Sequence, residues 1–283
     1  TGNGNIGIGY NSGQSNTGAD YNVTVGHTAG NLTGIGNIAI GRYAVHGGGD
    51  GTYNVGVGFE AGKALTSGAN NVLIGNGAGK LVNVGDGNVL IGYSAGDVIE
   101  EGDNNVIVGI GCDVNSTNAQ NRLIFGQSVT CGTDNQFMVG VGADTCRMTI
   151  DGSTTTFTAA SSDERYKENI ETSLAGLSFV NDLRPITYNW KKRKDVPEDT
   201  PRYEEGSDEP VLGQEYGRTL HGFIAQEVKS TIDNHSEIKE GFGMWQIDHN
   251  DIQSVSDGTL IPMLVKAVQE LSAKVEEQAK RIE

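Results

Sequence analysis

Ser162 and Lys167 stand five residues apart in the stretch Ser161-Ser162-Asp163-Glu164-Arg165-Tyr166-Lys167. A serine hydroxyl is a poor nucleophile at neutral pH and needs a base. Lysine can be that base only if burial or neighbouring cations bring its pKa down from about 10.4 toward neutrality. Three Lys167 side chains gathered near the axis of a trimer would meet that condition. Spacing alone says little, because a serine and a lysine this far apart on a helix are commonly a surface coincidence. Position says more: the pair sits where a glycine-rich repetitive chain gives way to an ordinary charged one, the place for a built-in cleavage site. His221 has no partnered aspartate in triad order, so a Ser-His-Asp arrangement is not read here. Alone, it reads as a hydrogen-bonded structural histidine.

The two parts that must position this pair differ in composition. The chain has 283 residues, enough for two domains, and most of its 42 glycines precede residue 152. With 36% hydrophobic and 6% aromatic residues, the glycine-rich half lacks the material for a large globular core. Regular stacking or partner chains must stabilise it, and folding as a monomer is not expected. A formal charge of −16 argues against nucleic-acid binding and against simple attraction to anionic lipid. Cys112, Cys131 and Cys146 show neither CxxC nor Cys/His metal spacing and read as small buried residues, so no metal and no cofactor is expected. No apolar run approaches the roughly 20 residues of a membrane span, so no membrane insertion is expected. The chain opens in mid-repeat, which predicts a longer parent protein.

The repeat is Asn-apolar-x-apolar-Gly. It runs through Asn5, Asn22, Asn37, Asn54, Asn71, Asn88, Asn105, Asn121 and Asn135. The period is about 17 residues, shorter between Asn22 and Asn37 and again after Asn105, too regular for chance and too short for helical repeats. Each unit predicts a strand of four or five residues, a glycine, often Ala-Gly, and a polar turn. One coil offers only two or three inward apolar side chains, so wrapping three chains around an axis improves burial. The expected fold class is mainly β plus α+β: a homotrimeric β-roll or triple β-helix over residues 1–143, then a neck and linker over 144–161. The asparagines read as turn-closing residues bonded to their own backbone, in preference to calcium or glycan ligands. Tyr10, Tyr21, Tyr43, Tyr53, Phe59 and Tyr93 fall in or beside turns, where they form a stacking surface for sugars or cover the coil ends.

Residues 162–283 read as an α+β domain. Leu174, Leu177, Val180 and Leu183 follow helical spacing that Arg184-Pro185 ends. Residues 186–190 and 243–247 read as strands, residues 221–228 as a strand-to-helix turn, and the charged stretch from Lys191 to Arg218 as a long exposed loop or hairpin with a solvated face. Over residues 260–283, Ile261, Leu264, Val268, Leu271, Val275, Gln278 and Ile282 alternate three and four apart. Three heptads of this seam predict a parallel coiled coil.

The array resembles the heads of trimeric autotransporter adhesins and the shafts of phage fibres over residues 3–142. The domain after it resembles the endosialidase-type intramolecular chaperone family in four ordered motifs. These are Ser162-Asp163-Glu164-Arg165-Tyr166-Lys167-Glu168-Asn169-Ile170, then Leu183-Arg184-Pro185-Ile186-Thr187-Tyr188-Asn189-Trp190, then His221-Gly222-Phe223-Ile224-Ala225-Gln226-Glu227-Val228, and finally the run from Leu260 to Leu271. Tyr166, where a leucine is more usual, and residues 246–251 depart from the pattern.

This second resemblance implies a C-terminal extension of a phage tail fibre or spike that trimerises, templates the upstream fibre and releases itself. The cut falls between Ser161 and Ser162, with Ser162 as nucleophile and Lys167 as base: a single-turnover serine autoprotease. Asp163, Asn169, His221 and Gln226 lie in the matching motifs as orienting or oxyanion-supporting residues. The implied partners are two further copies of the chain and a host-surface receptor, a glycan. The implied location is the virion, after assembly in the host cytoplasm. A bacterial surface adhesin using the same module is the alternative. A polysaccharide depolymerase needs two carboxylates about 5 to 9.5 Å apart, whereas the carboxylates of this array are scattered singly in turns, so such activity would lie upstream.

Overall fold

The structure, a computed structural model, describes all residues except 1, 16, 17, 151–157, 160–163, 213–216, 239–241, 249 and 283. It divides into two compact units, Thr1–Tyr166 and Lys167–Glu283.

The first unit is a β-solenoid of about eight turns. Its stacked strands are β1 (Ile6–Ile8), β2 (Val23–Val25), β3 (Ile38–Ile40), β4 (Val55–Val57), β5 (Val72–Ile74), β6 (Val89–Ile91) and β7 (Val106–Ile110). Two-residue β8 (Asp113–Val114) and β10 (Thr130–Cys131) pair beside the main sheet, while β9 (Leu123–Gln127) and β11 (Gln136–Val141) extend it in parallel. An antiparallel strand, β12 (Asp144–Thr149), closes the stack and pairs in turn with β13 (Thr158–Ala159). The first six strands are only three residues long because a glycine ends each. Gly75 shows why: its φ is +134°, and a Cβ there would stand 2.3 Å from the Gly92 carbonyl oxygen of the next coil.

Each coil does present about three inward side chains. The middle strand residue, the alanine of Ala-Gly and a later aliphatic point inward, as in Leu73, Ala78 and Val82, then Leu90, Ala95 and Ile99. Stacking adds to this burial, since identical positions lie above one another and bury against the coils on either side. The flanking strand residues point outward and are exposed or half-buried, with Ile8, Ile40, Ile74 and Val141 exposed.

The asparagines depart from the turn-closing expectation. Asn22, Asn37, Asn54, Asn71, Asn88 and Asn105 are buried. Asn71 Nδ2 donates to the Gly85 carbonyl at 2.8 Å and to Asn54 Oδ1 at 3.0 Å, while its own Oδ1 accepts the Asn88 backbone N–H at 2.9 Å. A near-constant period places amide over amide, so each side chain satisfies buried backbone groups of the neighbouring coil. The ladder also runs one residue out of step with the sequence repeat at its end. Arg122 and Gln136, not Asn121 and Asn135, follow Asn105 in register. Arg122 is buried, and its guanidinium bonds Asn115 Oδ1, the Cys131 carbonyl and Asp134. Cys112 and Cys131 are buried in the core and Cys146 is half-buried.

The second unit contains α1 (Leu177–Asp182), the antiparallel pair β14 (Ile186–Tyr188) and β15 (Leu220–Gly222), and α2 (Ala225–Asn234). A hairpin of β16 (Trp245–Ile247) and β17 (Gln253–Val255) follows, then α3 (Ile261–Ile282). α1 starts three residues later than its periodicity suggests, leaving Leu174 exposed. The core joins Ala175, Phe179, Val228, Ile232, Met244 and Leu260. The charged stretch after Trp190 is a hairpin laced by ion pairs, with Lys192 and Lys194 on Asp208 and Arg193 on Glu204. Along α3 the heptad positions are exposed, Val268 at 65% and Val275 at 56%. No helix among the described residues is long and apolar enough to cross a membrane.

Candidate cleavage site and chaperone module

Lys167 opens the second unit, directly after a single 3-10 turn, Glu164–Tyr166. It is exposed, as are Glu168 and Asn169. Asn169 has a left-handed φ of 52°, a conformation that asparagine tolerates better than most residues. Ser161, Ser162 and Asp163 lie outside the described residues, so the structure places the expected base and not the expected nucleophile.

His221 and Gln226 do come together. Register pairs Thr187 with His221 and Ile186 with Gly222, and β15 then runs through Phe223 and Ile224 into the first turn of α2, which carries Gln226. Both side chains are exposed and line one cavity of about 370 Å³ with Tyr188, Trp190, Gln253 and Asp257. Tyr188 and Trp190 meet edge to face, centroids 5.3 Å apart. Trp190 Nε1 is buried without a hydrogen-bond partner. A second cavity of about 380 Å³ also reaches Trp190, lined by Val196, Pro197, Leu212 and Ile252.

Several residues of the sequence motifs hold the module rather than a reacting group. Arg184 pairs twice with Glu227, at 2.9 and 2.5 Å, tying the segment before β14 to α2. The Glu227 carboxyl is held below its usual range by that guanidinium. Glu270 of α3 accepts the Leu177 N–H at 2.9 Å and so caps α1 from another helix. Gly176 leaves it room, since a Cβ there would lie 2.7 Å from the carboxylate oxygens.

Sequence reasoning missed His235. Its ring packs edge to face on Phe179, and its nitrogens bond Glu237 at 2.8 Å and Asp182 at 2.9 Å. Glu237 first and Asp182 second raise its pKa above the usual histidine value. No motif or periodicity marks it, because its partners lie two and 53 residues away. In the atypical segment at 246–251, Gln246 and Ile247 lie in β16, and Asp248 Oδ1 accepts the N–H groups of Asn250 and Ile252. Among the described residues, no group of three or more candidate side chains could hold a metal ion.

These features define a β-solenoid followed by a small α+β module that ends in a long amphipathic helix. Residues 162–236 match the family model described as chaperone of endosialidase, which is classed among peptidases. The match supports a chaperone domain of this type over those residues. No curated protein and no solved structure matches the chain.

Proposed function

We propose that this chain is the receptor-binding tip of a trimeric phage tail fibre or spike, whose C-terminal domain templates the trimer and then cuts itself away. The observation that carries the reading is the chaperone-of-endosialidase match at residues 162–236, directly downstream of a repetitive solenoid. Two exposed apolar surfaces support it. Parallel strands are almost always covered on both faces, yet the outer face of β1–β7, β9 and β11 leaves columns of Ile and Val exposed or half-buried. The heptad positions of α3 do the same. Three copies would cover both, with α3 as a parallel coiled coil.

In the proposed reaction the Ser162 Oγ attacks the Ser161 carbonyl carbon while a neutral Lys167 Nζ accepts the hydroxyl proton. Collapse of the tetrahedral intermediate breaks the Ser161–Ser162 amide, and Lys167 returns the proton to the departing Ser162 nitrogen. The resulting ester is hydrolysed by water, leaving a carboxylate on Ser161 and restoring the Ser162 hydroxyl. Lys167 is exposed in the single chain, so on this reading assembly supplies the desolvation and neighbouring cations that make it a base. That couples the cut to a completed trimer. Asp163, Asn169, His221 and Gln226 orient these groups or support the oxyanion.

Denaturing gel electrophoresis of wild type and Ser162→Ala tests the reading. Wild type should yield two fragments, residues 1–161 and 162–283, and the variant one intact band. An uncut wild type under folding conditions refutes the autoprotease.

A further inference from the structure

Residues 1–150 contain five Lys or Arg in a chain of net charge −16, and three of them, Arg42, Lys63 and Lys80, converge on neighbouring coils. Glu60 gathers two: Lys63 Nζ lies 2.7 Å and Lys80 Nζ 2.8 Å from its carboxylate oxygens. Each ammonium keeps further donors beyond that bond. Arg42 pairs with no carboxylate among the described residues. Its guanidinium lies 4.9 Å from the Tyr43 ring centroid and 5.9 Å from that of Phe59.

Rings continue the cluster. Tyr10 stacks on His27 at 5.1 Å, His27 meets Tyr43 at 5.9 Å, and Tyr43 meets His46 at 5.5 Å. Beside them an open groove of about 550 Å³ is lined by Asn31, His46, Lys63 and Lys80 over a floor that includes Gly47 and Ala64. His46 Nδ1 is buried with no hydrogen-bond partner. Burial first, and Lys63 second, lower the His46 pKa, so the imidazole is neutral and offers hydrogen bonding rather than charge.

Packing of the solenoid does not explain this concentration. Tyr43 and Glu60 hold left-handed φ values of 59° and 57° at a position that later coils fill with the small residues Gly77, Ser94 and Gly111. Bulky side chains kept in a conformation glycine adopts freely point to selection for what those side chains do. The other turn aromatics do not join in: Tyr21 and Tyr53 precede their strands and lie over Gly4 and Gly36.

We propose that the groove between His46, Lys63 and Lys80, with Arg42, Tyr43 and Phe59 at its edge, binds an acidic saccharide. The rings would stack on the apolar face of a sugar ring, while the guanidinium and ammonium groups take its carboxylate or sulfate. Three cations offset by Glu60 suit one or two anionic groups on an otherwise neutral chain. The acidic surroundings repel a continuous polyphosphate. The inference rests on the adhesive-tip reading and gives that tip a site and a ligand class.

The test uses the full chain and titrates a uronic-acid tetrasaccharide, a sulfated tetrasaccharide, a neutral glucose tetrasaccharide and a single-stranded oligonucleotide by calorimetry. The expected result is binding of one or both acidic sugars, the two arms separating carboxylate from sulfate. Affinity should fall about tenfold or more in Arg42→Gln and in Tyr43→Asn, which keeps a residue tolerant of the left-handed φ. Asn118→Ala, at an exposed asparagine of a later coil, should bind like wild type. A far-UV circular dichroism melt checks each variant, and if Tyr43→Asn is destabilised, Arg42→Gln decides alone. Preference for the oligonucleotide, or acidic-sugar affinity unchanged in Arg42→Gln, overturns the proposal. Binding of the neutral sugar alone overturns the anionic site and leaves the adhesive tip standing. Binding of no sugar overturns the saccharide site, while the fibre-tip reading stands or falls by the cleavage gel.

Discussion

The asparagine ladder predicts a large cost for one small truncation, Asn71→Ala. Asn71 is fully buried. Removing its amide leaves the Gly85 carbonyl without the donor that reached it at 2.8 Å, and the Asn88 backbone N–H without the acceptor at 2.9 Å. Other groups keep a partner: Asn54 Oδ1 still accepts the residue 71 N–H, and Asn88 Nδ2 still donates to the Gly102 carbonyl. Two orphaned buried backbone groups cost about 1–3 kcal/mol each, so the loss should be about 2–6 kcal/mol. At the lower end, a unit of this size should melt about 4–8 °C lower. The assay can separate the units, because both tryptophans, Trp190 and Trp245, lie in the second. Far-UV circular dichroism should record an earlier loss of β signal while tryptophan fluorescence keeps its wild-type transition. The control is Asn76→Ala, at an exposed asparagine of the same coil, which should stay within about 0.5 kcal/mol. If Asn71→Ala and Asn76→Ala melt alike, the asparagine ladder does not stabilise the stack.

Val268→Asp puts three charges into the proposed seam of α3 and should convert a trimeric mass in sedimentation to a monomeric one, with cleavage lost in the same sample. Burial first, and the hydrogen bond with Asp97 second, raise the Asp113 carboxyl to about 7 from 3.8. The folded solenoid therefore binds a proton that the unfolded chain has released, and stability should fall as pH rises through that window and level off above it. After allowance for solvent screening the effect is about 1 kcal/mol, and Asp113→Asn should flatten it in melts across the same range. His235 shifts upward because of Glu237 and Asp182. Its contribution is complete below the ordinary histidine value near 6.5 and disappears as pH rises through the raised folded value. Tryptophan-monitored melts should show that loss in wild type and not in His235→Gln.

What could be read in the sequence follows the range of the interactions. A near-constant period repeats a local pattern, so strand positions, the outward and inward alternation and the existence of a solenoid are visible in order along the chain. The role of the asparagines is not. A buried amide bonded to the next coil and a turn-closing amide look identical in sequence, and only stacking tells them apart. The Asn121 misalignment has the same origin: Arg122 takes the ladder position with a different side chain, satisfying the same backbone N–H relation through Asn105 Oδ1 and covering the ladder end with its guanidinium. In the second unit the strand-to-helix turn carrying His221 and Gln226 is local and legible. The Glu270 cap on α1 and the His235 bonds to Asp182 and Glu237 are tertiary, and no spacing rule points to them.

The regularity that makes the array readable also makes its assembly ambiguous. From Asn37 to Asn105 each ladder asparagine bonds the one 17 residues further on. Copies that pack by the outer face of the sheet and slip by one coil therefore meet nearly the same columns of Ile and Val. The coils at each end break that degeneracy: the bond from Asn37 to Asn22 spans 15 residues, and Arg122 occupies the other end of the ladder. Those mismatches are felt only once most of the array has zipped, too late to choose a register cheaply. A seam outside the repeat, such as α3 with its single a/d frame, would set the register before the first coils pair. Cutting at Ser162 afterwards would remove the element that made the choice, so the finished array would be held by the barrier to unfolding rather than by an equilibrium it can re-enter.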